Sequence, residues 1–409
     1  MTHSTRFFGA LLAISAPLCA CGSGAGPSPS QTSGAPISRA DAASPPTTTT
    51  PSEGAVASRA TPFAELVDKL SEPDGEFFSD NVISNETSYL QVAPQLAKDA
   101  RPGGAYIGVG PEQNFTYIAL TRPKVAFVVD IRRQNLVLHL LYKAAFEEAT
   151  SRAHFVALLL GRPYAAPGDP GAGGSLDAVL AHATAQTPDA GSFAATHASL
   201  LARLERDAAP TSEGAGLHLS AADRHGLDVA HRAFFDGQLD TRFSLKEANG
   251  RAYPTLGDLL REKDPDGKEG GFLASEAAFR AVQAMEKEGR IVPLVGDFAG
   301  DRAMPGVAAY LKAQGLTVSA FYVSNVEQYL FEPKVWPKWV RNVSAMPTDD
   351  RSVFIRAYLD QGKRHPLQQK GQRTATTLQR VTDFLGHQAK RPYGSFWAVA
   401  TEKYEGDAG

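Results

Sequence analysis

Residues 103–135 read GGAYIGVGPEQNFTYIALTRPKVAFVVDIRRQN, two apolar runs joined by a glycine turn and a short helical stretch. Ala105–Val109 is β-prone and stops at the turn Gly108–Pro111. Lys124–Val129 (KVAFVV) is apolar almost throughout and stops at Asp130. A strand that is apolar at every position is usually buried on both faces, as in a parallel sheet. About a dozen residues between two such strands suit a βαβ crossover. In that unit the glycine turn, with Gly108 and Gly110, lets a ligand approach the backbone. An acid at the tip of the second strand can accept from both hydroxyls of a ribose. The unit therefore points to a nucleoside-containing small molecule. Asp130 reads either as that acid or as a cap for the next helix. Arg132 and Arg133 read as a solvated helix start or as contacts to an anion. Glu112 reads as a carboxylate complementing a helix dipole or as a direct ligand contact.

The alternation resumes late in the chain. Ile291–Val295 is a strand ending at Gly296-Asp297-Phe298, and Met304–Gln314 is a helix closed by Gly315. Thr317–Val323 is a strand ending at Ser324-Asn325-Val326-Glu327. Ser352–Tyr358 is a further strand, Thr374–Leu385 a helix and Ser395–Thr401 a last strand. Helices are expected at Phe63–Leu70, Tyr89–Ala100, Leu136–Thr150 (amphipathic) and Trp336–Val343. Residues 164–275, low in complexity and then Ala-rich, read as a mainly helical insertion. Strands alternating with helices predict an α/β fold, a Rossmann-like, mostly parallel sheet. The polar stretch Phe77–Leu90 (FFSDNVISNETSYL) precedes the first strand. Its Asn81, Ser84, Asn85 and Glu86 form either a capping network or a lid over the strand tips.

Composition excludes several classes. A net charge of -3 argues against a generic nucleic-acid binder. Cysteine occurs only at Cys19 and Cys21, so the folded part has neither a disulfide nor a thiolate metal site. No G-x-S-x-G elbow occurs. Arg6 and the apolar run Phe7–Leu18 form a targeting segment, too short to span a membrane once mature. It ends in Leu18-Cys19-Ala20-Cys21, which resembles a bacterial lipobox with Cys21 as the acylated residue. The expected organisation is a lipoprotein signal peptide over 1–21, a disordered Ser/Thr/Pro/Gly/Ala-rich tether over 22–60 and an α/β domain over 61–405. The expected location is the bacterial cell envelope. Gly22 rather than Asp after Cys21 favours the outer membrane.

The order of these elements resembles class I S-adenosylmethionine-dependent methyltransferases. A glycine turn follows the first strand, acids end the second and third, and a polar residue ends the fourth. The phrases GVGPEQNFTYI, FVVDIRRQN and YVSNVEQYL also look like an uncharacterised bacterial lipoprotein family with that fold. The resemblance implies S-adenosylmethionine as cofactor. Gly108 and Gly110 would approach its methionine part, with Glu112 beside them. Asp130 would take the ribose, Asp297 the adenine amino group, and Phe298 the ring. Asn325 matches the position that orients an acceptor amine; apart from the resemblance, Asn85, Glu86 and Glu327 read as candidate substrate contacts. The turn departs from the family's longer glycine run, and Pro111 removes a backbone donor. A chain of this kind reads as a membrane-anchored methyltransferase or as a surface lipoprotein using the fold as a binding scaffold.

Overall fold

The apolar runs form strands with every residue buried: β1 (Ala105–Gly108), β2 (Val125–Asp130) and β3 (Ile291–Val295). They are joined by β4 (Val318–Ser324), β5 (Val353–Leu359) and β6 (Thr374–Arg380) in one sheet of order β3-β2-β1-β4-β5-β6. All neighbours are parallel except β5 and β6. The computed structural model describes residues 62–77, 79, 81–207, 217–245, 251–360 and 362–404. Cys21, the leader and the tether lie outside the described residues. The α/β fold with a mostly parallel sheet is the one expected.

Pro293 explains why β3 is an edge. It faces Val128 of β2 and has no N–H for a second neighbour. The opposite edge corrects two expectations. Residues 374–380 are a strand, not the start of a helix, and the helix is Val381–Lys390. Leu378, Val381 and Leu385 have helical spacing, but that spacing straddles a strand–helix junction. Ser88 fixes the strand from outside: its hydroxyl lies 2.6 Å from Thr374 Oγ1 and 2.9 Å from Thr376 Oγ1. Residues 396–401 form a helix, not a strand, because the Ser395 hydroxyl caps it by accepting from the Ala398 N–H. The helix expected over Tyr89–Ala100 is confined to Ala93–Asp99, after irregular turns.

Helix Arg133–Glu148 is buried without a break from Asn135 to Phe146. It was expected to be amphipathic. It lies between the sheet and the insertion helix Ala221–Gly237, which covers what would be its solvent face. The described residues of 164–275 include helices Leu176–Ala183, Ala190–Asp207, Ala221–Gly237 and Leu256–Leu260. Phe272, just beyond them, joins Phe115, Phe146, Phe155 and Phe279 in one aromatic core, with centroids 4.2–5.9 Å apart. The insertion is thus packed into the same core as the sheet. Trp336 and Trp339 are core residues as well.

Candidate functional site

The chain order reverses between β1 and β4, and ligands of open α/β sheets bind at the carboxyl ends of the strands at such a point. A cleft of about 660 Å³ lies there. Gly110 and Pro111 after β1, Asp130 ending β2, Gly296, Asp297 and Phe298 after β3, and Ser324 and Asn325 at the tip of β4 all line it. Ser84, Asn85 and Glu86 contribute from the polar segment. Phe243, Leu245, Arg251 and Tyr253 contribute from the insertion. The Asn81 side chain ties the two together. It donates to Ser244 O at 2.8 Å and accepts from Ser244 N–H at 2.7 Å.

The glycine turn is held from inside. Asn114 Nδ2 lies within 2.7–3.0 Å of the carbonyls of Val109, Gly110 and Pro111, and its Oδ1 accepts from Tyr106 Oη at 2.9 Å. His139 Nε2 donates to Gly110 O at 2.9 Å. Burial pushes this imidazole down to about 4, so it is neutral. Gly110 has φ +74° and open space where a Cβ would sit. Gly108 does not line the cleft. A Cβ there would lie 1.9 Å from Asn114 Oδ1, so this glycine makes room for the asparagine rather than for a ligand.

Asp130 has a partner the sequence reading did not supply. Arg132 forms a two-pronged pair with it, Nε to Oδ1 at 3.0 Å and Nη2 to Oδ2 at 2.9 Å, and the Arg132 backbone N–H also donates to Oδ1. Arg132 Nη1 donates to Ser79 O at 2.8 Å. Three of the roughly four acceptor positions of a carboxylate are therefore taken. Arg133 is structural, paired through Nε with Asp223 Oδ1 of the insertion at 2.6 Å.

Asp297 accepts from Ala299 N–H through Oδ1 at 2.8 Å. Its own N–H donates to Glu72 Oε2 at 2.9 Å. Glu72 Oε1 accepts from the N–H groups of Arg302 and Ala303 at 3.0 and 2.8 Å, so Glu72 occupies the start of helix Ala303–Ala313. Phe298 stacks on Trp339 at 5.5 Å and lies almost wholly in the core.

The three glutamates separate. Glu86 faces the cleft: it accepts from Tyr322 Oη at 2.8 Å and from the Ser324 hydroxyl. Glu112 is buried outside the cleft beside Tyr89, Thr116 and Phe272, and accepts from Ser84 N–H at 3.2 Å. Desolvation pushes Glu86 and Glu112 each up to about 7, with hydrogen bonds to each opposing the shift. Glu327 lies outside the cleft and corrects the expectation of a substrate contact. It is fully buried in an ion pair with Arg356 and accepts from Trp339 Nε1 at 3.2 Å. Of the expected site residues, Gly110, Asp130, Asp297, Phe298, Asn325, Asn85 and Glu86 meet in one cleft. Gly108, Glu112 and Glu327 do not line it.

The chain matches the model of a domain of unknown function, DUF7790, over residues 81–162 and 227–404. The chain belongs to the DUF7790 family. No curated protein matches it. Every strand lies inside the two DUF7790 segments, as do the cleft residues from Asn81 onward. The residues between the segments, 163–226, hold the first two insertion helices and the start of the third, and none of the described ones lines the cleft.

Proposed function

We propose that the protein binds a nucleoside-type small molecule in this cleft, with S-adenosylmethionine as the cofactor, and transfers its methyl group to an acceptor beside Asn325. The observation that carries the reading is the open cleft bounded by Gly110, Asp130 and Asp297 on one side and Asn325 on the other. Its volume falls within the roughly 300–1,000 Å³ of small-molecule pockets. The residues fit the cofactor in part. Gly110 leaves the backbone open to close approach, and Asp130 keeps about one acceptor position. S-adenosylmethionine supplies an electrophilic methyl group; the chain's part is to hold and orient. The Asn325 side-chain carbonyl orients an amine's lone pair, and positioning supplies most of the acceleration.

Calorimetry of the full chain with S-adenosylmethionine and S-adenosylhomocysteine tests this. Saturable heat at roughly micromolar to millimolar ligand is expected. A folded protein giving no heat at millimolar ligand would end the reading. The Asp130–Arg132 pair favours a second one, a binding module without catalysis, because the acid is already engaged. The lipobox supports a membrane-anchored protein in either case. The variant Cys21→Ala should move from the membrane to the soluble fraction on cell fractionation; unchanged membrane association would remove the anchor.

A further inference from the structure

Ser324 is a non-glycine residue at φ +51°, set where β4 ends and its register against β5 shifts. A left-handed backbone at a non-glycine residue costs energy and collects at functional sites. Here it accompanies a hydroxyl donated to Glu86 from one side, while Tyr322 Oη donates to the second carboxylate oxygen. All three side chains line the cleft next to Asn325. Glu86 is only 2 % exposed, and its backbone carbonyl is fixed by Gln113 Nε2 at 2.7 Å. A carboxyl group held by two hydroxyl donors in the wall of a ligand-sized cleft can take up and release a proton without moving.

We propose that Glu86 is the proton acceptor of this cleft, with Ser324 and Tyr322 as its positioning residues, and that the substrate beside Asn325 is a small molecule carrying a primary or secondary amine. An amine arrives as an ammonium ion and has no lone pair to react with. One N–H bond breaks with its electron pair left on nitrogen, an O–H bond forms on Glu86, and Glu86 later passes the proton to water. As a step in methyl transfer the assignment rests on the reading above; as proton exchange in the cleft it stands on the geometry. The groups facing Glu86 are Tyr106 of β1, Tyr117 of helix Gln113–Thr121, Tyr322 of β4 and Glu112. None of these four brings a positive charge, which is consistent with a carboxyl lifted to about 7 by desolvation.

Dicyclohexylcarbodiimide, which adds to neutral carboxyl groups in apolar surroundings, tests this in the full chain. Peptide mass spectrometry should find an adduct at Glu86 that is half lost near pH 7 and absent in Glu86→Gln. Ser324→Ala removes a bond that favours the charged form, so its midpoint should rise. A Glu86 that stays unlabelled at pH 6 in folded protein, or a midpoint below pH 5, overturns the proposal. So does an unmoved midpoint in Ser324→Ala for the positioning role. If S-adenosylhomocysteine fails to bind while Glu86 titrates near pH 7, the methyl-transfer reading falls and the proton acceptor stands.

Discussion

Replacing Arg356 by methionine should cost about 3–5 kcal/mol of folding stability, the expected price of breaking a buried ion pair. The guanidinium and the Glu327 carboxylate are 1 % and 0 % exposed. Arg356 Nη2 donates to Glu327 Oε1 at 3.1 Å, Nε donates to the other oxygen, and Nη1 donates to Gln379 Oε1 at 2.9 Å. Without the arginine, Glu327 keeps one described partner, the Trp339 indole N–H. The cost comes from a stranded charge rather than from lost packing. Removing both charges, Glu327→Met with Arg356→Met, should therefore recover most of the loss. Urea unfolding measures both: a midpoint shift at unchanged slope is expected for the single variant. A single variant within about 1 kcal/mol of the parent would contradict the buried pair.

Stability should fall between about pH 6.5 and pH 8, above the range in which two sets of buried groups oppose each other. Glu86 and Glu112 are raised from 4.5 to about 7, and Glu286 to about 8, all chiefly by desolvation. The folded chain holds these protons after the unfolded chain has shed them. Their effect is therefore a loss of stability that begins above about pH 4.5 and is complete by about pH 8. Burial lowers His139 and His231 from 6.5 to about 4 and lowers His154, His197 and His365 as well. The unfolded chain takes up these protons first, so below about pH 6.5 the histidines oppose the glutamates. Glu286 isolates the alkaline limb, because its Oε1 has no partner. Lys143 Nζ bonds to the Glu286 backbone carbonyl and to Glu147, so it keeps both contacts when the side chain changes. The gain from Glu286→Met should grow by about 2–3 kcal/mol between pH 6 and pH 8.5, because part of the cost already falls below pH 6. Thermal unfolding at half-unit pH steps checks this. A steady rise in melting temperature from pH 5.5 to 8.5 would refute the account.

The strands β1 to β5 were legible because each is a short apolar run closed by a turn residue, a signal carried within the strand. The tips were legible for the same reason: Gly110, Asp130, Asp297 and Asn325 follow such runs and meet in one cleft. β6 was not, because TATTLQR has no apolar run. What holds it lies outside its own run: the preceding strand β5 and the hydroxyl of Ser88, far off in sequence. The roles of the acids were legible only in part. Glu86, Glu112 and Glu327 are each polar residues beside a tip. What sends Glu327 into the core is Arg356 on the next strand, and Glu112 turns to the Ser84 backbone. Arg132, two residues after Asp130, was the one local signal that the acid is neutralised by its own chain.

Glu72 closes the helix start that follows β3. The free N–H groups that open a helix ordinarily welcome a phosphate. Here the protein's own carboxylate already fills that place, across Arg302, Ala303 and the Asp297 N–H. A nucleotide presenting its phosphate on the β3 side would meet negative charge where it sought donors. An uncharged ribose and base would not. On the nucleoside-binding reading proposed above, this occupied helix start would favour nucleosides over their phosphorylated forms.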